Sequence, residues 1–401
     1  MDFELNTVEA GTVTSVHGFV AGAVSAGIKK QDVLDLAILH SITPCTAAGV
    51  FTSNAIKSAP VLINQQHLRD KKAQAIVVNS GYANACTADK GKNDAGQMAK
   101  SVAKKLDISP QDVLVASTGV IGIPLPMDKI QKGIEKIVLS GKGGHDLAKA
   151  MMTTDTFAKE IAVHIRIDQR GFTIGGVAKG AGMIHPNMAT MLCFLATDAV
   201  VDAKFLQSAL KKAVDKSFNM ITIDGDTSPS DTVAILANGM AGNPTICEQN
   251  GELFQRAIDK VCIYLAKSIA KDGEGATKLI EVTVEGAISE QEARLAARTI
   301  ASSPLVKTAI HGNDPNWGRI VSALGRSGAN IKEDKLDAYI DYICVMEQGN
   351  PVPFDKEIAI TVLKKQEVLL RVNLNLGHGK ANAWGCDLST EYVNINSAYT
   401  T

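Results

Sequence analysis

Apolar residues along the chain fall into two kinds of run. Short runs dense in Val, Ile, Leu and Ala, at 33–40, 47–52, 75–79, 113–117, 161–167, 192–196, 280–284, 358–363 and 368–374, have the length and composition of strands. Longer stretches at 94–106, 127–139, 202–216, 252–271 and 289–302 space apolar residues three and four apart, with charge on the opposite side, and predict amphipathic helices. Asp94 and Ser289 are the expected N-caps, with Met98 and Ala293 opening the apolar stripes. Strands and helices do not alternate strictly, so a doubly wound parallel sheet is not expected. The pattern predicts an α+β layered architecture with helices covering sheets from outside. No low-complexity tract marks a linker. The expected internal division is the Gly-rich stretch 175–184, GGVAKGAGMI, with a second after Gly325, and the units on either side should pack intimately.

Composition narrows the function classes. The 401 residues carry 41 Lys and Arg against 42 Asp and Glu, a formal net charge of −1. That balance gives no global drive toward nucleic acid or an anionic membrane. The longest apolar candidate for a span, Gly18 to Ile28, is shorter than the ~18 residues a bilayer needs. The acidic N-terminus, MDFELNTVEAG, resembles neither a secretory nor a transit signal. Seven cysteines without a CxxC pair point to reduced thiols and a cytoplasmic location. HExxH, GxxxxGK[ST] and GxSxG are all missing, and DGEGATK (272–278) lacks the spacing of a phosphate loop. The eight histidines show no ligand clustering, so no metal is expected; His311 and His378, beside polar loops, are assigned packing or hydrogen-bonding roles.

Six segments break the apolar pattern with small polar residues: NSGYANACT (79–87), STGVIG (117–122), TTDTFAK (153–159), KGAGMIHPNMATML (179–192), DGEGATK (272–278) and VNINSAYTT (393–401). Glycine permits close backbone approach, and Ser, Thr and Asn add short donors on little volume. Such loops suit a site for a small, polar, zwitterionic molecule.

These segments carry a family resemblance. KGAGMIHPNMATML is similar to the self-cleavage segment of the ornithine acetyltransferase, or ArgJ, family, and AAGVFTSN (47–54), TIDGDTSPSD (222–231) and HGNDPNWGRI (311–320) join the six segments in family order. The resemblance covers essentially the whole chain. It implies an αββα-type layered sandwich, ArgJ/DmpA-like, cleaved between Ala189 and Thr190 into an α chain, 1–189, and a β chain, 190–401, assembled as a heterotetramer of two of each. It implies that Thr190 is the nucleophile, that Thr118 and the Gly119 N–H form the oxyanion hole, and that Thr153, Lys179, Thr190, Glu274, Asn396 and Thr401 bind substrate. Thr154 and Thr156 lie within reach of the same loop as Thr153. The implied reaction moves acetyl from N2-acetylornithine to Thr190 and then to glutamate.

The chemistry is coherent with the residue types. A Thr hydroxyl needs a base and a stabilised oxyanion, and cleavage would free an α-amine with a reference pKa of ~7.7–8.0 to act as that base. Lys179 would hold an α-carboxylate and Glu274 a substrate ammonium. No cofactor is expected. With no Arg cluster near these motifs, acetylornithine is the expected donor, and acetyl-CoA as co-substrate is the alternative. Two other readings share the same residues: an N-terminal-nucleophile amidase or aminopeptidase that passes the acyl group to water, and a non-catalytic metabolite-binding protein with an uncut chain.

Overall fold

A computed structural model describes residues 3–29, 32–167, 170–185 and 191–398. Among these, strands β1 (Phe3–Thr7), β2 (Phe19–Val24), β3 (Leu36–Phe51), β4 (Lys72–Tyr82), β5 (Val113–Val120), β6 (Lys159–Ile167), β7 (Arg170–Lys179), β8 (Leu192–Thr197) and β10 (Thr232–Ala237) form one mixed sheet. Its order is β1-β6-β7-β8-β10-β3-β4-β5, with β2 on the first half of β3. A second mixed sheet runs β14-β13-β12-β15-β11-β16-β9, from β9 (Ile221–Thr222), β11 (Leu279–Ala287), β12 (Asp337–Ile340), β13 (Ile343–Glu347), β14 (Asn350–Pro351), β15 (Glu367–Asn373) and β16 (Gly379–Cys386). The helices are α1 (Ala59–His67), α2 (Ala88–Leu106), α3 (Met127–Lys136), α4 (Gly144–Met151), α5 (Ala203–Lys216), α6 (Glu252–Lys271), α7 (Glu290–Ala301), α8 (Pro304–His311), α9 (Trp317–Gly325), α10 (Lys356–Leu363) and α11 (Thr390–Ala398).

The architecture is α+β and layered. Helix α4 covers one face of the first sheet, burying Leu147 and Met151 against Leu39, Ile76 and Val177. On the other face, α2 covers β4 and β5 through Met98 and Val102, α3 packs on β3 and α2 through Ile130 and Ile134, and α5 and α6 cover β3, β6 and β7. Helix α6 also reaches β9 and β16, so it joins the two sheets, and α7 packs its alanine-rich face on β11 and β16. Strands β8 and β10 are buried along their whole length, as central strands covered on both faces must be. Both follow position 190 in the chain, yet they are hydrogen-bonded into the sheet built by β1–β7.

Several sequence expectations hold and several change. Ser289 caps α7 by accepting from the Glu292 N–H at 3.2 Å. Asp94 is not a cap: α2 begins at Ala88, and Asp94 is buried within it, paired with Lys90 at 2.8 Å. The runs 33–40 and 47–52 are one strand, β3, with an irregularity between His40 and Cys45 where Pro44 removes a ladder donor. The run 358–363 is not a strand but most of α10. Asp355 caps it through the Glu357 and Ile358 N–H groups, and Ala359, Val362 and Leu363 are buried at helical spacing. The Gly-rich stretch 175–184 is not a division. Gly175 and Gly176 lie inside β7, where a Cβ on Gly176 would come within 2.8 Å of Leu195 and 2.9 Å of Leu265. Glycine there permits α6 to seat on the sheet.

Candidate functional site

Six loops and the C-terminal helix converge on one cleft of about 170 Å³. Thr118 and Gly119 come from the end of β5, Ala83 from the turn after β4, Thr153 and Thr154 from the α4–β6 loop, Lys179 from the end of β7, Glu274 from the α6–β11 loop and Asn396 from α11. Every one of the six polar segments therefore contributes a wall. Ser228, Pro229 and Ser230 supply another, from the loop before β10.

Local backbone geometry explains the STGVIG end. Strands β4 and β5 run parallel with Gly81 opposite Gly119, at φ of +111° and +126°. A Cβ on Gly119 would lie 2.3 Å from the Gly81 carbonyl carbon, so both positions need glycine. The close approach brings Thr118 to the cleft, its Oγ1 3.4 Å from Lys179 Nζ.

Lys179 is the buried cation of the cleft. Its Nζ donates to Thr153 Oγ1 at 3.0 Å and lies 3.9 Å from Asp155. Burial lowers its pKa, and Asp155, Asp231 and Glu274 oppose that shift. Glu274 is half-buried; its Oε2 accepts from Asn396 Nδ2 at 2.9 Å, and its own N–H donates to the Ala181 carbonyl at 2.8 Å. A cation and an anion on separate elements thus face one cleft, the arrangement a zwitterion would fill.

Beneath these side chains runs a fully buried ionic brace. Lys159, on β6, donates to Asp155 at 2.7 Å and to Asp272 at 2.5 Å, and all three side chains are 0–2% exposed. Asp155 also accepts from the Thr153 N–H at 3.0 Å and the Gly180 N–H at 2.7 Å. Burial opposes its ionisation, but Lys179 and Lys159 together hold its carboxyl well below the ordinary range. Asp272 takes both the N–H and the hydroxyl of Thr156. One lysine therefore ties together the loops that present Thr153, Lys179 and Glu274.

The segment leading toward position 186 is held just as closely. Asp224 accepts from Met183 and Ile184 N–H groups at 2.6 and 2.9 Å. His185 lies between Thr222 Oγ1, 3.0 Å from Nδ1, and Arg298, 3.2 Å from Nε2. Arg can only donate, so Nε2 accepts and Nδ1 carries the proton; burial and Arg298 both lower the His185 pKa, in keeping with this neutral form.

Of the residues singled out in the sequence, Thr118, Gly119, Thr153, Lys179, Glu274 and Asn396 meet at the cleft. Thr154 lines it too, whereas Thr156 is turned to Asp272. Ala189, Thr190 and Thr401 lie outside the described residues. His311 is hydrogen-bonded to Asp387 at 2.7 Å and does not line the cleft. The sequence reading missed Asp155, Lys159, Asp272, Ser228, Ser230 and Asp231. The first three lie within or beside the polar segments, but only the fold shows which charges are buried together.

The ArgJ family profile matches residues 20–401. The chain belongs to the ArgJ family. The arginine biosynthesis bifunctional protein ArgJ of Dehalococcoides mccartyi is 54% identical, over 100% of both chains. Its counterpart in Symbiobacterium thermophilum is 50% identical, over 98% of this chain and 99% of that one. A solved chain of the arginine biosynthesis bifunctional protein from Bacillus halodurans is 46% identical and covers 51% of this chain and 98% of its own, with a TM-score of 0.50. Among the described residues of this ArgJ protein, no helix is long and apolar enough to cross a membrane, and all seven cysteines are free thiols.

Proposed function

We propose that this ArgJ protein transfers acetyl from N2-acetylornithine to glutamate in arginine biosynthesis, in the cytoplasm, through an acetyl ester on Thr190. The observation that carries the reading is the pairing of Lys179 and Glu274 across the cleft that also presents Thr118 and Gly119. Both substrates are α-amino-acid derivatives. Lys179 binds the α-carboxylate of each in turn, and Glu274 with Asn396 binds the side-chain ammonium of ornithine. Thr118 and the Gly119 N–H stabilise the oxyanion as the acyl group passes to and from the nucleophile, a donor worth about 3–4 kcal/mol. One site serving donor and acceptor in turn makes the kinetics ping-pong.

The reading includes self-processing between Ala189 and Thr190, which frees the α-amine that serves as base. Two features support it. The solved Bacillus halodurans chain matches over almost its full length yet covers only about half of this one, the size that such a cut would give. Strands from both sides of position 190 also share one sheet, so fragments 1–189 and 190–401 would stay associated; the assembly proposed is two of each. Acetylornithine is the proposed donor and no cofactor is required. Relatives are named bifunctional, so acetyl-CoA is the donor to test beside it.

The experiment is ornithine release from N2-acetylornithine with and without glutamate, alongside mass spectrometry of the purified protein. Glutamate-dependent release from a chain cut at 189/190 supports the reading. Release independent of glutamate makes the protein a hydrolase, and turnover by an uncut chain removes the N-terminal-nucleophile mechanism. N-acetylglutamate formed from acetyl-CoA alone, at a comparable rate, makes the protein bifunctional.

A further inference from the structure

The segment HGNDPNWGRI (311–320) stands with the cleft segments in the sequence, yet none of its residues lines the cleft. Its first residue, His311, ends α8 and donates from Nδ1 to Asp387 Oδ2 at 2.7 Å. Asp387 lies in the turn between β16 and α11, its side chain wholly buried. It accepts further hydrogen bonds from the loop that carries Glu274. The Thr277 and Lys278 N–H groups reach Oδ1 at 2.8 Å each, and the Thr277 hydroxyl reaches Oδ2 at 2.6 Å. Burial opposes ionisation of this carboxyl, but the Thr277 hydroxyl, His311 and the two N–H groups hold it below the ordinary range. Donors on an ionised acceptor make strong bonds, so Asp387 is a firm anchor for that loop. Lys278 ties the same loop to the end of α8, donating from Nζ to the Ile310 carbonyl and to Asn313 Oδ1, both at 2.6 Å.

What this joint carries is the anionic wall of the cleft. Ser389, just past Asp387, donates from its hydroxyl to the Gly275 carbonyl at 2.6 Å, and a Cβ on Gly275 would lie 2.5 Å from the Tyr392 nitrogen. The Glu274 loop is therefore pressed against the first turn of α11. Helix α11 buries none of its residues, so no apolar face anchors it. Asn396, near its end, meets Glu274 Oε2 at 2.9 Å because the polar joint at 275–278, 311 and 387–389 sets where the loop and the helix begin.

We propose that His311, acting through Asp387, is a positioning residue for the Glu274–Asn396 wall and so for recognition of the donor's side-chain ammonium. This rests on the reading of Glu274 and Asn396 as the ammonium site given above. His311 touches no substrate. Its hydrogen bond fixes the carboxylate on which the Glu274 loop hangs, and through Ser389 the start of the helix that presents Asn396. A binding group displaced by a fraction of an ångström loses much of its contribution, whereas the acyl-transfer end of the cleft, built from Thr118 and Gly119 on β5, is untouched.

The test compares kcat/KM for N2-acetylornithine and for N2-acetylnorvaline, the same donor with hydrogen in place of the side-chain ammonium, both with glutamate as acceptor. The parent should prefer acetylornithine. In His311→Ala that preference should fall about tenfold, through acetylornithine alone, with the norvaline donor within about twofold of the parent. His311→Asn, which sets an amide N–H where Nδ1 stood, should restore most of the preference. Thr277→Val removes the hydroxyl that reaches the same carboxyl oxygen and should reproduce the loss; it takes the place of His311→Ala should that variant fail to fold. An equal fall with both donors marks a general structural role and overturns the proposal, as does an unchanged preference in folded His311→Ala protein. A parent that treats the two donors alike overturns the ammonium assignment itself, a result seen without any variant.

Discussion

Replacing Lys159 by Met keeps most of the side-chain volume and deletes the charge that braces the site. The loss falls on two contacts, 2.7 Å to Asp155 and 2.5 Å to Asp272, in a pocket where all three side chains are 0–2% exposed. Removing one partner of a buried ion pair costs about 3–5 kcal/mol, because the other charge is stranded in a medium that solvates it poorly. Asp155 keeps the Thr153 and Gly180 N–H groups and Lys179 at 3.9 Å, and Asp272 keeps Thr156, so the expected loss is at the lower end, about 3 kcal/mol. Urea unfolding of parent and variant measures it, with the slope checked for two-state behaviour. The double variant Lys159→Met/Asp272→Asn strands one fewer charge and should recover at least about 1 kcal/mol, a coupling expected only between groups in direct contact. KM for acetylornithine should rise in the single variant, since Thr153, Lys179 and Glu274 all hang from this brace. A loss below about 1 kcal/mol, or strict additivity in the double variant, would refute the reasoning.

Thr118→Ala removes one oxyanion donor and should lower kcat about 10²–10³-fold with a much smaller change in KM, measured by steady-state kinetics. Gly119→Ala should fail to give stable protein, because the new Cβ meets the Gly81 backbone at 2.3 Å in a conformation with φ +126°; soluble yield and melting temperature report it. Asp155 and Asp231 should have opposite effects on pH stability. Asp155 is held ionised in the fold, so the unfolded state binds its proton more readily; its contribution is full above the unfolded pKa of ~3.9 and is lost as pH falls through the lower folded value. Burial raises the Asp231 carboxyl in the fold, so the unfolded state releases its proton first, and stability declines as pH rises above ~3.9. Urea midpoints across pH should therefore show Asp231→Asn matching the parent in acid and gaining on it toward neutrality; a constant gap across pH would contradict the assignment.

Local rules carried the reading of long periodic helices and apolar strands. Ser289 caps α7 because a short oxygen-bearing side chain before an apolar-periodic run meets the free N–H groups of the first turn, whereas Asp94, read by the same rule, lies inside α2. The run 358–363 shows the limit: six mostly apolar residues fit strand and helix alike, and the Asp355 cap with the packing of Ala359, Val362 and Leu363 decided for helix. The clustering of small polar residues marked every wall of the cleft except the loop 228–230, since such residues are what close backbone approach and short donors require. What they could not carry was the pairing of charges. Lys159 and Asp272 are 113 residues apart, and nothing local distinguishes them from the solvated Lys and Asp of α2; only the crossing of β6 beneath the α6–β11 loop removes water from both and makes each the other's partner. Asp231 is the sharper case. Its sequence neighbours mark a turn, whereas its burial beside Met191 follows from the parallel register of β8 and β10, a relation between distant segments that only the folded sheet creates.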